Sequence, residues 1–303
     1  MPADTREGDD DLLDRARVAL ERERRRTADE RDAFADFHRR VRKIEPVTAP
    51  ATGGVDAATG GAVGAGTATR TLAGTFGGDT GSNSLDAVRE AYRETVMSVP
   101  HFEADYDESY AENVAEEFGP ELATALVTGD RFDDLCKRTL LEAVDEGRSR
   151  RETLLDALDA ESESLATYRD RVGSLWNDLA AVTVDRQSVV EVVESDAAGA
   201  NTSDPARSAS PDLASAASFD ALADARSGLL ALRERCDAVA ADRQAAVREQ
   251  AHRISLSMET ADVQRYCYSS LPVAYPVLSA VTALDERVER CQRAVERAMA
   301  TCT

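Results

Sequence analysis

The chain has 303 residues, 57 of them acidic and 36 basic, for a formal net charge of −21, and only 5% are aromatic. No run approaches the ~20 apolar residues that cross a bilayer, so no membrane association is expected. The acidic stretch Met1 to Asp11 has no apolar core of its own, which argues against a signal peptide. So negative a chain repels phosphate backbones, and nucleic acid is not an expected partner. The five cysteines (Cys136, Cys236, Cys267, Cys291, Cys302) are odd in number and contain no CxxC pair. Neither a disulfide framework nor a structural zinc site is expected.

Lys43 and Lys137 are the only lysines, and Ile44 and Ile254 the only isoleucines, while alanine and arginine abound. GC-rich codon usage favours the same bias, but it does not account for the surplus of carboxylates. A carboxylate-rich surface stays hydrated in concentrated salt, where the Debye length falls to about 3 Å and self-repulsion is screened. The composition therefore reads as salt adaptation of a cytoplasmic protein, and the acidity says little about partners.

Along the chain, Leu13, Ala16, Leu20, Glu23, Thr27, Glu30, Phe34, Phe37, Val41 and Ile44 fall at alternating steps of three and four. This is a heptad seam, apolar at both ends and polar in the middle, and Pro46 closes it. The polar centre either sets register or marks a stretch without a partner. Residues 46–83, with ten glycines among Ala and Thr, read as a flexible linker. Ser84 has the character of an N-cap, followed by Leu85, Val88, Tyr92, Val96 and Val99 in helical rhythm up to Pro100. A second short helix is expected from Asp105 to Phe118, and a third from Pro120 at N1 to Val127. The strongest pattern follows, with Phe132, Leu135, Leu140 and Val144 leading into Leu154, Leu158, Leu165, Tyr168, Val172, Leu175 and Leu179. It predicts one helix of nearly fifty residues, roughly 70 Å at 1.5 Å per residue.

Residues 183–215 are ambiguous. Val189–Val193 is β-branched, and Asn201 to Pro211 is a loop. A second long helix carries Leu222, Leu229, Leu232, Cys236, Val239, Ala246, Gln250 and Ile254 on one face. A turn of helix lies near Thr260–Ser270, and the last helix begins at Pro276, with Val277, Val281, Leu284, Val288, Cys291, Val295, Ala298 and Cys302 in register. The fold class expected is all-α, an elongated antiparallel helical bundle or coiled coil with long helices and a low-complexity linker. Its parts are a heptad helix over 1–45, the linker 46–83, short helices plus a long one over 84–182, a loop over 183–215, and a long plus a C-terminal helix over 216–303. The segments 84–182 and 216–303 are expected to form one bundle. On the apolar faces, cysteines 136, 236, 291 and 302 behave as small hydrophobes.

Two blocks are distinctive: Tyr92-Arg93-Glu94-Thr95-Val96-Met97-Ser98-Val99-Pro100-His101-Phe102, and Tyr266-Cys267-Tyr268-Ser269-Ser270-Leu271-Pro272-Val273-Ala274-Tyr275-Pro276-Val277-Leu278. Together with the Arg/Glu-rich first helix and the linker, they resemble an uncharacterised family of haloarchaeal helical proteins. The resemblance implies a halophile origin and a helical architecture, and no activity, cofactor or substrate.

Three segments are candidate sites. Asp105, Asp107, Ser109 and Glu116 occupy positions one, three, five and twelve of a calcium-loop pattern, but Tyr110 stands where that loop turns on Gly. His101, Glu103 and Asp105 offer further donors, but no second histidine stands nearby. An acidic helix N-terminus explains the same residues, so no metal is expected. The aromatic candidate is a recognition surface formed by Tyr92, His101, Phe102, Tyr106, Tyr266, Tyr268 and Tyr275, on the premise that the two tyrosine blocks meet at one end of the bundle. Closure of a core around the helix-breaking prolines is the simpler reading. The third is charge: residues 12–45 hold eleven basic against eight acidic side chains, densest at Arg22, Arg24, Arg25 and Arg26. They fit either a nucleic-acid arm or an ion-paired solvated helix.

The three histidines are scattered, and no G-x-S-x-G, phosphate loop or metal-ligand spacing occurs, so nothing nominates an enzyme or a cofactor. The expected function is a helical scaffold or protein-interaction module, acting through a protein partner or self-association, with the first helix as a docking arm on its linker. Two alternatives stand beside it: a small-ligand or metal-binding module at the Tyr-rich end, and a DNA-associated coiled coil.

Overall fold

In the computed structural model, residues 3–47, 80–184, 219–255 and 263–301 are described. They are all-α. The helices are α1 (Ala3–Lys43), α2 (Thr80–Thr95), α3 (Phe102–Asp105), α4 (Tyr110–Phe118), α5 (Pro120–Val127), α6 (Asp134–Val184), α7 (Phe219–Ser255), α8 (Val263–Cys267) and α9 (Pro276–Thr301), with a 3-10 turn at Val96–Ser98. No strand occurs among the described residues. Most of the linker 46–83 and of the loop 183–215, including Val189–Val193, lies outside the described residues, as does Cys302.

The chain divides into two compact units, one of residues 1–25 and 153–303, the other of residues 26–152. These boundaries are not those of the sequence pattern, because α1 and α6 each contribute residues to both units.

In the first unit the long helices run antiparallel. Ion pairs join α6 to α7 as Asp178–Arg235 and Arg171–Asp242, so residue number rises on one helix as it falls on the other. Arg226–Glu296 and Arg233–Asp285 set α7 against α9 in the same sense, and Asp14–Arg169 and Arg24–Asp159 set α1 against α6. Leu13, Ala16, Leu20, Leu158, Leu165, Val172, Leu175, Leu229, Leu232, Leu284 and Val288 share one core, and Cys236, Cys267 and Cys291 are buried in it as free thiols.

The second unit is closed by aromatic rings. Phe34, Phe37 and Val41 of α1 are fully buried with Leu85, Val88, Tyr92, Val114, Leu126, Phe132, Leu140 and Val144. Phe37 meets Tyr92 edge-on at 5.1 Å between centroids, and Tyr92 meets Tyr110 at 5.6 Å. Such edge-to-face pairs match a positive ring edge to a negative ring face. The apolar ends of the α1 seam are thus spent on the two cores, and α1 is not the free docking arm expected of it. At its end, the Lys137 ammonium donates to the carbonyls of Arg42 and Ile44, which a helix C-terminus leaves without backbone partners.

Two local differences have plain causes. Helix α2 starts at Thr80, four residues before Ser84, whose hydroxyl donates instead to the Glu45 carbonyl. The helix expected from Asp105 to Phe118 is broken, because Asp107 takes a left-handed φ of 46° and ends α3. Asp tolerates that region better than most residues. Ser109 then starts α4 with a capping box, in which its side chain accepts from the Glu112 N–H and Glu112 accepts from the Ser109 N–H. Gly119, at φ 82°, makes the turn that places Pro120 at the start of α5.

Candidate functional site

Each unit holds a polar network inside its apolar core. In the first unit, Glu161 and Arg243 occupy seam positions of α6 and α7 and are 0% and 2% exposed. Glu161 Oε1 accepts from the Arg243 guanidinium at 2.7 Å and from the Tyr268 hydroxyl at 2.6 Å, while Oε2 accepts from the Gln264 amide at 2.6 Å. Arg243 also donates to Ser164 Oγ at 2.6 Å and Gln264 Oε1 at 3.0 Å, and it lies over the Tyr168 ring at 5.3 Å. The carboxylate is therefore matched by one cation and hydrogen-bonded on both oxygens, the condition under which a charge can sit in a core. Burial, reinforced by Glu161, pushes the Tyr268 hydroxyl well above its ordinary range, so it remains a donor.

In the second unit the hub is Glu30, in the polar centre of the α1 seam. Its Oε1 accepts from the Tyr106 hydroxyl at 2.8 Å and lies 3.1 Å from His101 Nε2, and its Oε2 accepts from Arg151 at 2.9 Å. Arg151 reaches on to Glu117 at 2.5 Å and covers the Phe34 ring at 4.0 Å. Burial favours the neutral form of Arg151, but the Glu117 and Glu30 charges outweigh it and hold the guanidinium above its ordinary pKa. Beside this hub, the buried Tyr92 hydroxyl donates to Asn113 Oδ1 at 2.6 Å, and the Asn113 amide donates to Glu108 at 3.1 Å.

The expected recognition residues are thereby placed. His101, Phe102 and Tyr106 come together in the second unit, with the Phe102 and Tyr106 rings 5.4 Å apart, while Tyr92 of the same unit packs on Phe37, Tyr110 and Phe118. Tyr266, Tyr268 and Tyr275 lie in the first unit, so the two tyrosine blocks are divided between the units and each closes its own core. Within the second block, Tyr268 is 0% exposed whereas Tyr266 and Tyr275 are 47% and 36% exposed. The Tyr266 hydroxyl donates to Glu23, so that polar position of the α1 seam has a partner too.

The calcium-loop pattern does not assemble as such: Asp105 pairs with Arg26 at 3.0 Å, Ser109 is spent on the helix cap, and the Glu116 carboxyl is raised by a hydrogen bond with Glu108. Among the described residues no group of three or more His, Cys, Asp or Glu is placed to hold a metal ion. Of the arginine run, Arg24 pairs with Asp159 and Arg26 with Asp105. An open groove of about 260 Å³ in the second unit is lined by Asp29, Asp36, Arg40, Glu94, Ser98 and Pro100.

Glu161, Arg243, Gln264, Arg151, Glu117 and Asn113 were not singled out from the sequence. The signal for the first two was present: Glu161 lies between Leu158 and Leu165, and Arg243 between Val239 and Ala246, each at a seam step otherwise filled by an apolar or small residue. Two opposite charges in the seams of two long helices point to a buried pair.

These features define a class: an all-α protein with charged, hydrogen-bonded networks inside its cores and no described helix long and apolar enough to cross a membrane. The chain belongs to the family described as a domain of unknown function, DUF7260, whose model matches residues 11–292. No curated protein and no solved structure matches it.

Proposed function

We propose that the protein is a non-catalytic helical scaffold of a salt-rich cytoplasm, and that it presents the bend from Tyr266 to Tyr275 to a protein partner. The observation that carries this reading is the split within that bend. Gln264 and Tyr268 are anchored in the Glu161–Arg243 network, while Tyr266 and Tyr275 stand partly exposed on the same short segment. Pro272 and Pro276 restrict its backbone. Partly exposed tyrosine rings on an anchored support offer contact area at low entropic cost, as protein interfaces use them.

The ligand reading has less support, because the polar groups of His101, Tyr106 and Tyr268 are already engaged by Glu30 and Glu161. The nucleic-acid reading is weakened by the ion pairs of Arg24 and Arg26. The test is cross-linking in native high-potassium lysate, with affinity recovery by wild type and by the Tyr266→Ala/Tyr275→Ala variant. A reproducible protein partner that the variant loses, with thermal unfolding unchanged, supports the reading. An identical set of recovered proteins overturns it.

A further inference from the structure

The buried acids of the first unit differ in one respect: Glu161 has Arg243, and Asp9 has no counter-charge among the described residues. Asp9 lies one turn before Leu13 on the core-facing side of α1 and is 8% exposed. It adjoins Trp176 of α6, itself 5% exposed. Neither Asp9 Oδ2 nor the Trp176 indole nitrogen completes a hydrogen bond. The charges around it do not help. Asp10 stands beside it and pairs with Arg6 at 3.8 Å. On α6, Arg169 is bound to Asp14 and Asp178 to Arg235. A buried carboxylate without a cation is costly, whereas the protonated acid is far cheaper to hold in an apolar site.

We propose that the first turns of α1 are a proton-controlled latch, which docks tightly beside Trp176 when Asp9 is neutral and loosens when Asp9 is charged. Burial, and then the Asp10 charge, push the Asp9 carboxyl from its ordinary 3.8 up to about 6, and the indole N–H offsets only part of this. Once the turns are released, the carboxyl returns to its ordinary value, so the docked form binds the proton more tightly. The gain in docking is complete below about pH 4 and is lost as the pH rises through about 6. Its full size is on the order of 100-fold in the docking equilibrium, of which about tenfold is realised by pH 5.

Trp176 is the single tryptophan of the chain, so its fluorescence reports on this site alone. The experiment uses the full chain at constant high salt between pH 8 and pH 5. It follows indole emission together with amide exchange of residues 6–13, corrected for the intrinsic pH dependence of exchange. In wild type, protection of residues 6–13 is expected to rise about tenfold towards pH 5, with a shift in emission over the same range. Asp9→Asn, which carries no charge, should be pH-independent in both signals and about tenfold more protected at pH 8 than wild type is at pH 5. Exchange in residues 280–295 serves as the control that the core is folded, and Asp9→Leu serves as a second uncharged variant if the asparagine disturbs packing. A pH profile shared by wild type and both variants overturns the proposal, as does a wild type whose residues 6–13 exchange at a pH-independent corrected rate.

Discussion

The two units bury charge in the same way in principle and in different ways in practice. In the first, one acid and one base meet at the seams of two long helices, fully enclosed and equal in charge. In the second, one arginine stands between two acids, partly exposed and covered on one face by a phenylalanine ring. The first arrangement depends on matching two regular helices, and a slip of one turn would leave both charges unpaired. The second ties Glu30 of α1 and Arg151 of α6 to short elements, with His101 and Tyr106 flanking α3 and Glu117 coming from α4. The first network thus joins two long helices and the α8 segment, whereas the second also fastens the short elements around α3 and α4 to its long helices.

Removing one half of each network should separate these roles. Arg243→Leu leaves Glu161 charged and enclosed, and should cost about 3–5 kcal/mol in denaturant unfolding, with exchange rising first in residues 153–182. Replacing the whole layer, by Glu161→Leu, Arg243→Met, Gln264→Leu and Tyr268→Phe together, should recover most of that stability, since apolar residues of similar size fill such sites well. If the layer sets register, the fourfold variant should nevertheless show more than one tryptophan environment at a fixed pH, where a single one is expected of the wild type. A uniform indole signal in that variant would reduce the layer to a stability device.

Arg151→Leu should cost less, about 2–3 kcal/mol, because Glu30 and Glu117 are within reach of water and Glu30 keeps its Tyr106 donor. Hydrogen exchange should place the loss in residues 101–118. A cost equal to that of Arg243→Leu would mean that the second network is as enclosed as the first.

How much of this was legible beforehand follows from the period of each signal. Helices α6 and α9 were readable within a few residues, because Leu154 to Leu179 and Val277 to Ala298 repeat the same spacing over many turns. Glu30 was visible as a polar position in a seam, but its partners were not, since His101 and Arg151 approach it only in three dimensions. Glu161 and Arg243 each stand as one charge among the apolar residues of a seam, and only their meeting in three dimensions sets them apart from solvated positions. The break at Asp107 rests on a single backbone angle that leaves no periodic trace. Tyrosine clustering signalled a need to close a core, and could not say that the two clusters would close separate ones.

The smallest effects come from two glycines of α6, one in each unit, and they should differ in sign. A Cβ on Gly147 would stand 2.7 Å from Phe34 Cε1, against the edge of a ring that is itself fully buried. The ring would have to move against its packed neighbours, which costs about 1–3 kcal/mol, while alanine returns roughly 1 kcal/mol of helix propensity. Gly147→Ala should therefore lower the stability of the second unit by about 1 kcal/mol, read as faster exchange around Phe34 and Phe118. Gly173 has no neighbour within 4 Å of the same atom, so Gly173→Ala keeps the propensity gain and should stabilise the first unit by up to about 1 kcal/mol. Were both substitutions to stabilise, the Phe34 ring would have room to shift, and the second unit would be packed more loosely than its aromatic core implies.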